Sequence, residues 1–245
     1  MITKELLIDI AKKKGLTNKE YIEKDYFQDL FLFQLYKKTN LFVFKGGTCL
    51  YKIHNLPRFS EDLDFSVLGK TEPEKIISEV ADKIGCEIKS IKKMKNSILI
   101  KLGFKGILTD YNTLRIDINL KNPVFEYEIK NYISPYIDIN PFSLRVLSLK
   151  EMLAEKVHAI FARNKARDLY DLFFLLRFVE LDMETINKKL EIFDMNFEPD
   201  KFLKKIEYFE KLWIPELRPF LLSELPDFNI VKNFVLEKIN IPDAE

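Results

Sequence analysis

Two aspartates one residue apart, Asp62 and Asp64 in "SEDLDFSV", are the sharpest chemical feature of the chain. A strand repeats its side-chain direction every second residue. Both carboxylates therefore leave the same face of a strand over 62–67, while Leu63, Phe65 and Val67 take the other face. A pair at that spacing can share one Mg²⁺ or hold a metal pair. Solvated strand faces carry such pairs too, so a third acid matters. Asp117 in "LRIDINL" is the only acid on its strand and shares a polar face with Arg115 and Asn119. If the two strands pair, three carboxylates converge and call for a cation. The competing reading has Asp117 paired with Arg115 or facing solvent.

Just upstream, Gly46-Gly47-Thr48 follows the apolar run "LFVF". Glycines let a backbone approach a ligand closely. Free N–H groups at a helix start attract phosphate, and Thr48 adds a hydroxyl. A tight turn explains the same residues. Their value lies in position, between one strand and the D-x-D strand, where amides on one side and a metal on the other suit phosphoryl transfer. Arg58 and Ser60 precede the aspartates and can add a charged fork and a hydroxyl; a surface loop is the alternative for Arg58.

Lys156 falls inside the apolar stripe Leu149, Met152, Leu153, Val157 and Ile160 of "LKEMLAEKVHAIFA". Lysine is rarely buried without a partner. It either snorkels past the core or reaches an anion such as a triphosphate. The next helix, "ARDLYDLFFLL", brings Arg167, Asp168 and Asp171 to one side. These acids favour the helix dipole and allow a local Arg167–Asp171 pair; the functional reading has Asp168 or Asp171 orienting Lys156. His54 and His158, the two histidines, receive no role.

The elements that position these residues are legible from periodicity. The spacing predicts a helix over 17–38 capped by Asn18, a strand over 41–44, one or two helical turns over 48–54, and a strand over 62–67. A helix follows over 73–84, then neighbouring strands over 97–104 and 114–120. After "SPY" and "NPF" the pattern reads as helical. Ser148 and Glu151 form a capping box for 149–162, and a second helix runs from 166 to about 179. The rest is mostly helical with prolines at the joints. The fold class is α+β, with a mixed β-sheet core with flanking helices over 1–145 and a C-terminal helical bundle over 146–245.

Composition narrows the function classes. The chain has 245 residues, 47% apolar, and a formal net charge of +1. Disorder is disfavoured, and any nucleic-acid contact must come from a local patch. Lysines 89, 92, 93, 95, 101 and 105 form one such candidate patch for an acceptor strand, against a plain solvated strand face. Cys49 and Cys86 have no metal-ligand spacing and read as reduced buried thiols. No apolar run approaches a membrane span, and the N-terminus lacks a signal-peptide core. A cytoplasmic protein with no membrane partner is expected.

Three ordered segments, "FKGGTCLYKI…LPRFSEDLDF", "RIDI" and "LKEMLAEKVHAIFARNKARDLYDLFFLL", resemble the AbiEii/AbiGii toxin family of nucleotidyltransferases, which includes the MenT-type tRNA-modifying toxins. "YIEKDYF" is similar to the family's N-terminal helix. The resemblance implies a DNA-polymerase-β-like nucleotidyltransferase core, Mg²⁺ (or Mn²⁺), a nucleoside triphosphate and an RNA acceptor such as tRNA. It also implies an abortive-infection role in phage defence and a cognate antitoxin encoded nearby. The family turn corresponds to Gly46, Gly47 and Thr48, and its R-x-S-x-D-x-D element to Arg58, Ser60, Asp62 and Asp64. The family lysine corresponds to Lys156, its downstream acid to Asp168 or Asp171, and the third acid of the superfamily to Asp117. On this pattern Asp62, Asp64 and Asp117 hold metal, and Lys156 stabilises leaving pyrophosphate.

Two other readings compete. One is a non-catalytic module that binds a nucleoside triphosphate or a partner protein on the same fold. The other is a sugar-nucleotide site around the D-x-D, which expects a nucleotide-binding α/β unit upstream; only one short strand and G-G-T precede Asp62.

Overall fold

A computed structural model describes residues 2–121 and 123–240. The chain divides into two compact units, one of Met1–Asn55 and Phe59–Leu147, the other of Leu56–Arg58 and Ser148–Glu245.

The first unit is built on one seven-stranded mixed sheet. Its strands are β1 (Phe42–Lys45), β2 (Asp62–Val67), β3 (Glu87–Lys93), β4 (Ser97–Phe104), β5 (Asn112–Asn119), β6 (Tyr127–Tyr132) and β7 (Phe142–Leu147). They lie in the order β3-β4-β5-β2-β1-β7-β6. The β2–β5 and β1–β7 pairs are parallel, the others antiparallel. Alternation dictates the faces. Leu63 and Phe65 of β2, Ile100 and Leu102 of β4, and Leu114, Ile116 and Ile118 of β5 are all fully buried. The intervening polar residues Asp62, Asp64, Lys101, Arg115 and Asp117 share the other face.

Four helices complete this unit: α1 (Lys4–Lys13), α2 (Lys19–Lys38), α3 (Gly46–His54) and α4 (Pro73–Lys83). Asn18 caps α2, its side-chain oxygen accepting from the N–H groups of Glu20 at 2.8 Å and Tyr21 at 3.3 Å. Phe27 of α2 stacks on Phe104 of β4 with ring centroids 3.8 Å apart, and Phe31 meets Phe65 of β2 at 6.4 Å. Each such buried aromatic stabilises the fold by about 1.5–3 kcal/mol.

The second unit is helical: α5 (Leu149–Ala162), α6 (Ala166–Leu175), α7 (Met183–Glu191), α8 (Pro199–Leu217) and α9 (Phe228–Ile239). Ser148 caps α5 through the Glu151 N–H at 3.3 Å. The Trp213 indole donates to the Pro226 carbonyl at 2.9 Å, tying α8 to the start of α9. The short segment Leu56–Arg58 packs here, with the Leu222 N–H donating to the Pro57 carbonyl at 3.0 Å.

Two local expectations are corrected. The stretch after "NPF" is strand β7, not helix: Leu144 and Val146 point inward while Ser143 and Arg145 alternate outward, a period of two. Helix α6 stops at Leu175, and residues to Val179 form turns instead of a continued helix. The sequence reading also passed over α1, β3 and β6: every residue of β3 is exposed, whereas α1 does place Leu7, Ile10 and Ala11 at i, i+3 and i+4 on its buried face. Among the described residues no helix is long and apolar enough to cross a membrane.

Candidate active site

The parallel pairing of β2 with β5 sets Asp64 directly beside Asp117, and Asp62 beside Arg115. The three carboxylates therefore share one face of adjacent strands. Asp62 and Asp117 have side chains 42% and 30% exposed, so the edge is open to a ligand. The Arg115 guanidinium reaches between them, 3.8 Å from Asp62 and 3.7 Å from Asp117. Those separations are ion pairs without hydrogen-bond contact. Both sequence readings of Asp117 thus hold together: it lies beside the D-x-D, and it pairs loosely with Arg115.

The glycine turn is joined to this edge. Lys45, the last residue of β1, is in register with Asp64, and Gly46 follows with φ +74°, the left-handed region. A Cβ on Gly46 would stand 2.8 Å from the Asp64 Cγ. No L side chain fits there, so the main chain approaches the carboxylate as only glycine allows. Gly46, Gly47 and Thr48 then open α3 without a side-chain cap, leaving first-turn N–H groups as donors. The Thr48 hydroxyl is buried and donates to the Asp62 carbonyl. It fixes the turn to β2.

Helix α3 is anchored by a buried charge cluster that the sequence reading missed. The Lys52 ammonium lies 2.8 Å from Asp25 and 2.6 Å from Asp29 of α2. Tyr136 donates to Asp25 at 2.6 Å, Ser134 to Asp29 at 2.6 Å, and Tyr132 to Asp29 at 2.9 Å. Lys14 also reaches Asp25. Burial favours neutral Lys52, but Asp25 and then Asp29 outweigh it and raise its pKa. Gln28, one turn along α2, donates to the carbonyls of Ser60 and Glu61, both at 2.9 Å, and steadies the entry to β2. The signal was present in "EKDYFQD", whose polar residues fall on the helix's inward side.

In the second unit Lys156 is buried and contacts both candidate acids, Asp168 at 3.0 Å and Asp171 at 2.6 Å. Arg58 forks onto Asp171, Nε at 2.7 Å and an Nη at 2.6 Å. Arg163 forks onto Asp168 at 2.7 and 2.9 Å. The chain Arg58–Asp171–Lys156–Asp168–Arg163 alternates in sign and carries one net positive charge. Burial favours neutral Lys156, but Asp171 and Asp168 prevail and raise its pKa, so the ammonium stays charged. Burial likewise works against ionised Asp168 and Asp171. Lys156 and Arg163 hold the first well below the carboxylate range; Arg58 and Lys156 lower the second. Lys156 thus contacts both Asp168 and Asp171. Arg58, read as a fork for substrate or a loop residue, is buried and forked onto a carboxylate. Arg167 lies over the Phe220 ring, 4.6 Å from its centroid. Arg163 is the residue of this network that sequence reasoning passed over. His158 stacks on Phe193, centroids 4.0 Å apart.

The donor set at the carboxylate edge suits a hard cation. Among the described residues no group of three or more His, Cys, Asp or Glu side chains closes around an ion position.

Three comparisons bear on this geometry. The family model described as "Nucleotidyl transferase AbiEii toxin, Type IV TA system" matches residues 30–228. An uncharacterized protein of Aquifex aeolicus (strain VF5), aq_aa25, is 28% identical over 177 residues, 70% of this chain and 75% of that protein. Among solved structures, MenT4, a nucleotidyltransferase toxin from Mycobacterium tuberculosis H37Rv, superposes with a TM-score of 0.70 at 19% identity, over 100% of this chain and 91% of its own. JHP933 from Helicobacter pylori does so at 0.59 and 22%, over 91% and 92%. At these identities the two structures speak for the fold.

Proposed function

The chain belongs to the AbiEii nucleotidyl transferase toxin family, and from that premise we propose that it moves a nucleotide from a nucleoside triphosphate to an RNA acceptor, a tRNA end, with Mg²⁺ held by Asp62, Asp64 and Asp117. Family membership carries nucleotidyl transfer and a cognate antitoxin.

One observation carries it: the β2–β5 register that lays Asp117 beside Asp64, with Asp62 on the same face and a glycine turn at its flank. Bound there, Mg²⁺ would offset phosphate charge and make the acceptor hydroxyl a better nucleophile. The amides of Gly46 and Gly47 donate to triphosphate oxygens. Thr48 keeps that turn on β2 through the Asp62 carbonyl. Ser60, half-buried before the carboxylates, adds a hydroxyl. Lys156 has three N–H bonds, and Asp168 and Asp171 orient it; its role toward the departing pyrophosphate is what the family resemblance implies. Electrostatic groups of this kind, fixed beforehand, supply much of the catalysis in phosphoryl transfer.

The test is identification of the product. Pure protein, Mg²⁺, each α-labelled nucleoside triphosphate and total RNA are incubated and resolved by size. Label on the tRNA band, removed by a 3′ exonuclease, supports the reading; label on no RNA species rejects the RNA acceptor.

A further inference from the structure

A cleft of about 360 Å³ opens on the sheet beside Asp62, lined among others by Lys24, Ser90, Lys101, Thr113 and Arg115. Its floor is ordered by strand register. Ser90 of β3 pairs with Lys101 of β4, Lys101 with Arg115 of β5, and Arg115 with Asp62 of β2. These four residues form a straight row across the sheet, with neighbouring strands about 4.8 Å apart. The row runs from a hydroxyl, over two cations, to a carboxylate of the candidate metal edge. Lys101 is exposed and has no ion pair among the described residues. Arg115 is held by Asp62 and Asp117 at separations too long for hydrogen bonds, so its N–H fork remains available. Lys24 is engaged with Glu61 at 2.6 Å and closes the cleft's side.

Hydroxyls beside cations on an open floor match a sugar–phosphate backbone. The sheet order says which one. The glycine turn follows β1, on one side of β2, whereas Arg115 and Lys101 lie on β5 and β4, on the other side. The carboxylates stand between two phosphate-seeking flanks. The reaction has two phosphate-bearing substrates, and the turn takes the triphosphate. We propose that the Lys101–Arg115 cleft is the acceptor-strand subsite, where the two cations hold a backbone phosphate of the RNA next to its reacting end. The inference rests on the transfer reading above and assigns a side of the sheet to each substrate. It also selects within the basic stretch: of lysines 89, 92, 93, 95, 101 and 105, Lys101 is the one that lines the cleft.

The experiment is fluorescence anisotropy of fluorescein-labelled total tRNA with the full chain in EDTA, so that no metal or turnover is involved. Variants are Lys101→Ala, Arg115→Ala, Arg115→Lys and the double alanine, each checked for an unchanged melting temperature. A parallel titration follows a non-hydrolysable nucleoside triphosphate with Mg²⁺. Each alanine is expected to weaken tRNA binding by about tenfold. In the double variant the slope of log affinity against log salt drops by about 0.7, one single-strand phosphate contact. Arg115→Lys keeps most of the affinity, and Lys101→Ala leaves triphosphate binding within twofold. Unchanged tRNA affinity in the double variant overturns the subsite, as does a wild type that binds no tRNA. A loss of triphosphate rather than tRNA affinity in Lys101→Ala gives the cleft to the nucleotide and overturns it as well. Failure of the wild type to bind the triphosphate strikes the transfer reading instead, so the two failures are distinguishable.

Discussion

Gly46 and Asp64 occupy what would be one space: a Cβ on the glycine would lie 2.9 Å from the Cβ of the aspartate and 2.8 Å from its Cγ. The glycine also sits at φ +74°, where an L side chain costs about 1–2 kcal/mol before any clash. Phosphate turn and carboxylate edge are thus one unit of structure. Gly46→Ala should lower stability by about 2–3 kcal/mol and cut turnover at least a hundredfold, because relief of the clash displaces Asp64. Melting curves and initial rates check both. Gly69, at φ +68° with open space around it, is the control: alanine there should leave the rate unchanged.

The alternating chain of the second unit predicts unequal costs. In Lys156→Met, Asp168 retains Arg163 and Asp171 retains Arg58, so destabilisation stays near 1–3 kcal/mol. In Asp171→Ala, Arg58 and Lys156 both lose a buried partner, and the cost rises to about 3–5 kcal/mol. Denaturant unfolding of the two variants should keep this order. Activity should reverse the usual correlation, with Lys156→Met folded and slowed by about 10²–10³ in kcat.

The same chain sets a pH dependence. Asp168 has a folded pKa below its unfolded value of about 3.9. Its contribution is therefore complete above that unfolded value and is lost as pH falls through the folded one. The stability gap between wild type and Asp168→Asn should be flat from about pH 5 to 8 and shrink below about pH 4. Lys156, with its pKa raised, keeps its proton at neutral pH, so the rate profile between pH 6 and 9 should carry no limb from it. A gap that widens with acid would contradict the assignment.

Lys52 tests the link from core to site. Replacing it with Met leaves Asp25 and Asp29 facing each other inside the unit, with Lys14 on Asp25 alone. About 3–5 kcal/mol should be lost, and triphosphate affinity should weaken with it because α3 carries the glycine turn. The double change Lys52→Met with Asp29→Leu should recover part of the stability, and unfolding curves of single and double variants decide it.

Much of this was legible from residue types and spacing. The period of two around Asp62 and Asp64 placed both on one strand face, and "LRIDINL" gave its neighbour, because alternation is a local signal. Lys156 stood out as a charge inside an apolar stripe. What stayed hidden was partner identity. Nothing local says that Arg58 meets Asp171 across 113 residues, or that Thr48 donates to the Asp62 carbonyl. The buried acids of α2 escaped for the same reason, since their partners Lys52, Tyr132 and Ser134 come from distant segments. Strand β7 was misread because prolines on its approach look alike before a helix and before a strand.

The central claim is that the Asp62–Asp64–Asp117 edge performs metal-dependent nucleotide transfer. Its most direct measurement is the rate of α-labelled nucleotide incorporation into total tRNA by wild type, Asp64→Asn and Asp117→Asn, each with Mg²⁺ and with chelator. The account predicts incorporation by wild type with Mg²⁺ alone, a fall of at least about 10³ in Asp64→Asn, and a large loss in Asp117→Asn with folding intact. Equal incorporation by wild type and Asp64→Asn, or incorporation that persists in chelator, would contradict it.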